Sequence, residues 1–181
     1  YLKGVLTKEI YHLISMFRDT EYFYELQKEY HFLKNYDPSE FPRNEVTADA
    51  VVLQSGHILM IHRGEIPGKG LLALPGGFIS HSESIMEGML RELKEETNVR
   101  VPKEVLKGSI KEVKVFDYPG RSDRGRIITH AHYIHLKDGE ELPRIAGGDD
   151  ASHAEWIPIS EVLNQPEKIY SESWSIIKSF I

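Results

Sequence analysis

Glu92, Glu95 and Glu96 lie within SIMEGMLRELKEETNV, spaced by three and four residues. On a helix those spacings bring side chains onto one face. Three like charges there repel one another and destabilise the helix. A hard divalent cation such as Mg²⁺ removes that penalty, because it takes carboxylate oxygens, waters and phosphate oxygens as ligands. The alternative is a solvated acidic helix face. The elements that must position these carboxylates are also visible. Ser84-x-x-Glu87 is a capping box and predicts a helix starting near residue 83 or 84. Ile85, Met89 and Leu93 form an apolar stripe, with Met86, Leu90 and Thr97 beside it, and the acidic face borders this stripe. Gly88, one turn before Glu92, leaves room there for metal and phosphate. Ahead of the helix, Leu74-Pro75-Gly76-Gly77 predicts a tight turn with exposed backbone.

The spacing extends well beyond the glutamates. Residues 76–99 fit G-x5-E-x7-R-E-U-x-E-E-x-G-U, with U a large aliphatic residue, at Gly77, Glu83, Arg91, Glu92, Leu93, Glu95, Glu96 and Val99. Asn98 stands where the pattern has glycine; asparagine tolerates the left-handed conformation, so a helix C-cap role survives. This is the Nudix box, and the chain resembles the Nudix hydrolases, which cleave a nucleoside diphosphate linked to another group using divalent cations. The resemblance implies that Glu92, Glu95 and Glu96 hold Mg²⁺, or Mn²⁺ in its place, with the Gly76 carbonyl as a further ligand. It also implies that Arg91 and Glu83 belong to the scaffold, Arg91 pairing with a carboxylate and orienting it.

With 181 residues, 40% apolar and 28% charged, the chain reads as one globular domain plus an added segment. There is no cysteine, which excludes disulfides and thiolate-zinc sites. A net charge of −6 argues against general nucleic-acid binding, though local arginines and metal ions can still hold an anionic nucleotide. No apolar run approaches a membrane span and no secretory signal is visible, so a cytoplasmic location is expected. Residues 1–44 read as two helices broken near Asp19-Thr20 and a linker at Asp37–Pro42; residues 45–181 read as the catalytic domain. Strand signals run through VTADAVVLQ, then a Ser55-Gly56 turn, HILMIHR, VLKGSIKEVKVF, RIITHAHYIHL and HAEWIP, before helical ISEVLN and SESWSIIKSFI. The expected fold is α+β, a Nudix-type α/β/α sandwich with a mixed sheet.

A closer likeness concerns substrate. TADAVVLQSGHILMIHRGEIPGKGLLALPGGF, RSDRGRIITHAHY and GGDDASHAEWIPISEVL are similar to the Nudix half of bifunctional nicotinamide mononucleotide adenylyltransferase/Nudix proteins. Those proteins carry an adenylyltransferase domain upstream, whose nucleotide-binding histidine motif is missing here. The N-terminal helices are either a private appendage or dimer element, the latter giving a homodimer, or the tail of such a domain. The likeness implies ADP-ribose as substrate, cleaved to AMP and ribose 5-phosphate within NAD metabolism. Arg121, Arg124 and Arg126 in GRSDRGR, with Arg63 and Lys69 ahead of the glycine turn, are the candidates for gripping its phosphates. Phe116 or Tyr118 could stack on adenine, and Asp49 interrupts an apolar strand, suiting a buried polar role or a base contact. Asp149 and Asp150 follow two glycines, and Asp150 is the candidate general base or extra metal ligand that Nudix enzymes draw from a late acidic loop. His130, His132 and His135 make a poor zinc tripod, since only the first two share a strand face. Trp is usual in the family where Leu72 stands. The alternatives are another substrate (a dinucleotide, a nucleotide sugar or an oxidised nucleotide) or a non-catalytic ADP-ribose sensor.

Overall fold

The computed structural model describes residues 21–37, 43–145 and 151–181. The chain divides into two compact units, Tyr1–Arg43 and Asn44–Ile181. In the first unit the described helix is α1 (Glu21–Asn35), which begins just past the break expected at Asp19-Thr20. The helix expected before that break and residues 38–42 of the expected linker lie outside the described residues.

The second unit runs β1 (Glu45–Gln54), β2 (His57–Arg63), β3 (Leu72–Ala73), β4 (Gly76–Phe78), α2 (Ile85–Thr97), α3 (Lys103–Gly108), β5 (Ile110–Phe116), β6 (Ile127–His135), β7 (Ala151–Pro158), α4 (Ile159–Asn164) and α5 (Ser171–Phe180). The strands build a mixed sheet along the path β3-β2-β1-β6-β5, with β4 paired to β1 and β7 to β2. β1 is its spine. It runs parallel to β6 from Glu45↔Ile127 to Leu53↔His135. Its first half also pairs antiparallel with β4, and its last two residues pair with β2. A strand with neighbours on both edges and helices on both faces has few wet positions, which is why its second half reads as an apolar run rather than as alternation. The β1–β2 hairpin turns through Ser55 at φ 46° and Gly56 at φ 74°. Two positive φ values in a two-residue loop match the right-handed strand twist, and glycine meets that demand without strain.

Alternate β1 residues face opposite layers. Ala48, Ala50 and Val52 pack with Met89, Leu90 and Leu93 of α2. Val51 and Leu53 pack with Ile176 and Ile177 of α5. The result is the expected α/β/α sandwich, with α2 and α5 on opposite faces. Met89 and Leu93 are wholly buried; each such side chain contributes about 1.5–3 kcal/mol by leaving water. Among the described residues no helix is long and apolar enough to cross a membrane.

One stretch differs from its reading. VLKGSIKEVKVF is not strand throughout: Lys103–Gly108 forms α3, and the strand starts at Ile110. Pro102 precedes the helix, Glu104 sits in its first turn, Lys107 in its last, and Leu106 is its buried anchor. A Pro start and charges complementary to the helix dipole favour one short helical turn over an extended strand.

Candidate active site

The capping box forms as read. The Ser84 hydroxyl accepts from the Glu87 backbone N–H, and the Glu87 carboxylate accepts from the Ser84 backbone N–H. At the other end Asn98 adopts the left-handed conformation, φ 47° and ψ 29°, and its N–H donates to the Lys94 carbonyl. With both ends fixed, the face bearing Glu92, Glu95 and Glu96 keeps its orientation to the sheet.

Arg91 ties this helix to the preceding loop. Its Nε and Nη2 donate to the two oxygens of Glu83 at 3.0 and 2.8 Å. Nη2 also donates to the Phe78 carbonyl at 3.1 Å. Nη1 donates to Glu92 at 2.8 Å and to Glu95 at 2.9 Å. One planar guanidinium therefore spans three carboxylates and a backbone carbonyl, which an ammonium cannot do. The Arg91 hydrogen bonds hold the Glu83 carboxyl down at about 2. Burial pushes Glu92 up, against the pull of Arg91.

Two glycines let the turn close onto these carboxylates. A Cβ on Gly77 would lie 2.5–2.8 Å from the Glu92 carboxylate, and one on Gly76 would run into Asp49 and the Ala48 carbonyl. The Gly76 N–H donates to Glu96 Oε2 at 2.8 Å. Gly88 serves a different purpose from the one read for it. A Cβ there would meet Ile79 and Glu83, so its missing side chain admits the loop rather than metal and phosphate.

These contacts bear on whether a cation fits. Among the described residues no three His, Asp or Glu side chains are grouped to hold a metal ion. Glu92 and Glu95 are turned to Arg91, and Glu96 to Gly76 N–H. The donors are nonetheless all hard oxygens on one face beside two glycines, a set suited to Mg²⁺ or Mn²⁺. Binding would draw Glu96 off the Gly76 N–H.

Beside the glycine turn lies a cleft of about 500 Å³, counting the solvent at its mouth. Its lining includes Asp49, Arg63, Gly76, Phe78, Glu96, Arg124, Tyr170 and Glu172. Arg63 lies 4.4 Å over the Tyr170 ring, and its Nε donates to the Pro67 carbonyl at 2.7 Å. Arg124 lies 5.6 Å from the Phe78 ring centre and donates to Glu172 at 3.2 Å. Burial pushes the Asp49 carboxyl up to about 7, opposed by Arg121 and Arg124.

The substrate candidates thus separate by position. Arg63, Arg124 and Asp49 line the cleft together with Glu96 and Gly76. Arg121 is buried, its side chain 2% exposed, with Nη1 donating to Thr129 at 2.7 Å. Arg126 is exposed and donates to the Asp117 carbonyl. Lys69 is exposed, outside the cleft lining. Phe116 packs against the α5-side core, because its strand parity turns it toward that layer. Asp149 and Asp150 lie outside the described residues. Phe78, Tyr170 and Glu172 were not among the sequence candidates. The Tyr-x-Glu ahead of the α5 apolar stripe was the available hint, but nothing local connects it to a loop 48 residues earlier.

The NUDIX domain family model matches residues 43–180. ADP-ribose pyrophosphatase of Methanocaldococcus jannaschii is 33% identical over 136 residues, covering 75% of this chain and 72% of that protein. The crystal structure of a bifunctional NMN adenylyltransferase/ADP ribose pyrophosphatase from Francisella tularensis, complexed with AMP and Mn ion, matches with a TM-score of 0.73 and 36% identity. That match covers 97% of this chain and 56% of the other, so the chain spans little more than half of the bifunctional protein. The NUDIX domain of Shewanella oneidensis NrtR, complexed with ADP ribose, matches with a TM-score of 0.69 and 28% identity, over 83% of this chain and 94% of that one.

Proposed function

We propose, from the premise that this chain belongs to the Nudix hydrolase family, that it hydrolyses ADP-ribose to AMP and ribose 5-phosphate. The observation that carries this reading is the shared cleft: Arg63 and Arg124 open onto the same space as Glu96 and Gly76. Groups suited to a diphosphate and groups suited to its counter-cation therefore line one space. The archaeal relative named ADP-ribose pyrophosphatase supports the choice of substrate.

In this reading Glu92, Glu95, Glu96 and the Gly76 carbonyl hold Mg²⁺, with Mn²⁺ as a substitute. When bound, the cation neutralises the diphosphate and activates water for attack on one phosphorus. Arg124 and Arg63 grip the phosphate oxygens and stabilise the charge that develops on them. Arg91 keeps Glu92 and Glu95 aimed at the same point, and its own bonds to Glu83 and Phe78 keep it from following them. Phe78, 46% exposed beside Arg124, offers a ring face for adenine. The protein then acts in NAD metabolism, consuming ADP-ribose released when NAD is cleaved.

A second reading, a non-catalytic ADP-ribose sensor, is favoured by the likeness to an ADPR responsive transcriptional repressor of Acinetobacter baylyi, 27% identical over 138 residues. The intact glutamate set and its Arg91 brace speak for turnover. One experiment separates them: phosphate or nucleoside monophosphate release from purified protein with Mg²⁺, beside binding measured by calorimetry in EDTA, over a panel of ADP-ribose, dinucleotides, nucleotide sugars and oxidised nucleotides. ADP-ribose is expected among the fastest substrates. Binding without hydrolysis would establish the sensor, and hydrolysis of another panel member alone would transfer the assignment to it.

A further inference from the structure

We propose that Glu172, backed by the buried Arg121, is a positioning residue that sets Arg124 for the substrate's phosphates, which makes the start of α5 part of the specificity apparatus. The proposal rests on the preceding reading in one respect, that Arg124 meets phosphate.

Glu172 sits where two segments remote in sequence converge. One oxygen accepts from the Tyr170 hydroxyl at 2.7 Å. The other accepts from Arg124 Nη2 at 3.2 Å and lies 3.8 Å from Arg121 Nη1. Its side chain is 11% exposed, against 34% for Arg124 and 2% for Arg121. A carboxylate this enclosed holds one rotamer, so a guanidinium bonded to it is held as well. The base beneath it is also fixed: the Tyr170 N–H donates to the Leu72 carbonyl at 2.8 Å, and the Ser173 hydroxyl accepts from the Leu74 N–H at 3.2 Å. Those bonds attach the start of α5 to the strand that leads into Gly76.

Arg121 explains why this contact does not silence Arg124. A lone carboxylate against Arg124 would neutralise the charge the phosphates need. Arg121 lies on the same oxygen from the protein interior, and its Nε has no hydrogen-bond partner among the described residues. Burying a guanidinium with an unmet donor is unfavourable, so a structural anchor alone gives little reason for it. As a counter-charge it shares Glu172 and leaves Arg124 a net cation at the cleft. The hydrogen bond then orients Arg124 without cancelling it.

The test is a double-mutant cycle on the full chain with Glu172→Gln and Arg124→Ala. Binding is measured by calorimetry in EDTA, so that no turnover occurs, and KM and kcat are measured with Mg²⁺. The ligand is whichever panel member the unaltered protein hydrolyses fastest; failure of ADP-ribose as substrate therefore leaves this test intact. Glu172→Gln is expected to weaken binding roughly three- to tenfold, the loss falling on Kd and KM rather than on kcat. The Arg124→Ala loss is expected to shrink by about threefold or more in the Glu172→Gln background, since the pair acts as a unit. Tyr170→Phe keeps the ring under Arg63 and removes only the hydroxyl that fixes Glu172. It is expected to shift Kd in the same direction and serves as the second variant if Glu172→Gln lowers Tm sharply. Additive effects, or tighter binding in Glu172→Gln, would overturn the proposal, because a carboxylate that merely competes with phosphate gives that result.

Discussion

Replacing Arg91 with lysine tests whether the acidic face is held by geometry or only by charge. The native side chain makes five hydrogen bonds: two to Glu83 and one each to Glu92, Glu95 and the Phe78 carbonyl. A lysine keeps the charge but presents a single compact ammonium, which satisfies one carboxylate well. At least two of the five contacts are then lost. Hydrogen bonds to charged groups are worth about 1.5–3 kcal/mol each when enclosed, and exposed ion pairs about 0.2–1 kcal/mol. Arg91 is 35% exposed and Glu95 47%, so the Glu95 contact belongs to the weaker class, while Glu92 at 17% lies nearer the stronger. The expected loss of stability is about 1–3 kcal/mol, a Tm lowered by about 2–12 °C for a chain of this size. Function should fall further, because Glu92 and Glu95 lose their common reference point. Losing a group that orients metal ligands typically costs about 10- to 100-fold in metal affinity or activity. The assay pairs thermal unfolding with a Mg²⁺ titration of AMP release. Half-maximal activity is expected at tenfold or more Mg²⁺. A lysine variant with unchanged Tm and an unchanged Mg²⁺ midpoint would refute the bracing role.

Four further outcomes follow from the same geometry. Glu95→Gln and Glu96→Gln should each cut turnover by about two orders of magnitude or more, equal to about 2.7 kcal/mol, without loss of Tm; near-native turnover at saturating Mg²⁺ removes the metal assignment. Gly77→Ala drives a methyl into the Glu92 carboxylate, so kcat should drop while far-UV circular dichroism stays native; wild-type kcat would show that Glu92 has room to move. Arg124→Ala should lower kcat/KM for ADP-ribose about 10- to 150-fold, whereas Arg126→Ala, bonded to Asp117 outside the cleft, should change it less than threefold; equal losses would contradict the placement of the two side chains. Burial lowers His132 below its usual 6.5. Its neutral form is thus favoured in the fold, and its contribution is full above about 6.5 and lost as pH falls below. His132→Gln should flatten the fall in Tm between about pH 7 and pH 5, and an unchanged slope would remove His132 as a contributor.

What could be read in advance follows from which interactions are local. The capping box, the Asn98 cap and the grouping of Glu92, Glu95 and Glu96 depend on spacings within one helix, and 3.6-residue periodicity encodes them directly. The Arg91–Glu83 contact spans eight residues and was legible through the motif. The strands of β1, β2 and β6 were legible because β-branched and apolar runs ended at turn residues. The arginines of GRSDRGR were not separable, because three cations within six residues carry no signal of which is buried behind Glu172 and which reaches the cleft from it. Gly88 was misread for a similar reason: the sequence shows that a side chain is missing but not that Ile79 needs the space. The end of α3, from Val105 to Gly108, reads as strand because Val105 and Leu106 resemble strand residues and run on into the β-branched stretch of β5.

The two halves of the site draw on different lengths of chain. The hydrogen bonds described for Arg91, and that between Gly76 and Glu96, begin and end within residues 76–96. The cleft beside it is assembled from residues as far apart as Thr47 and Ile176. Mutations can therefore remodel Arg63, Arg124 or the start of α5 without touching the bracing of the glutamates. The glutamate brace is thus a contiguous stretch of chain, while the cleft wall is spread over the scaffold and can be altered one loop at a time.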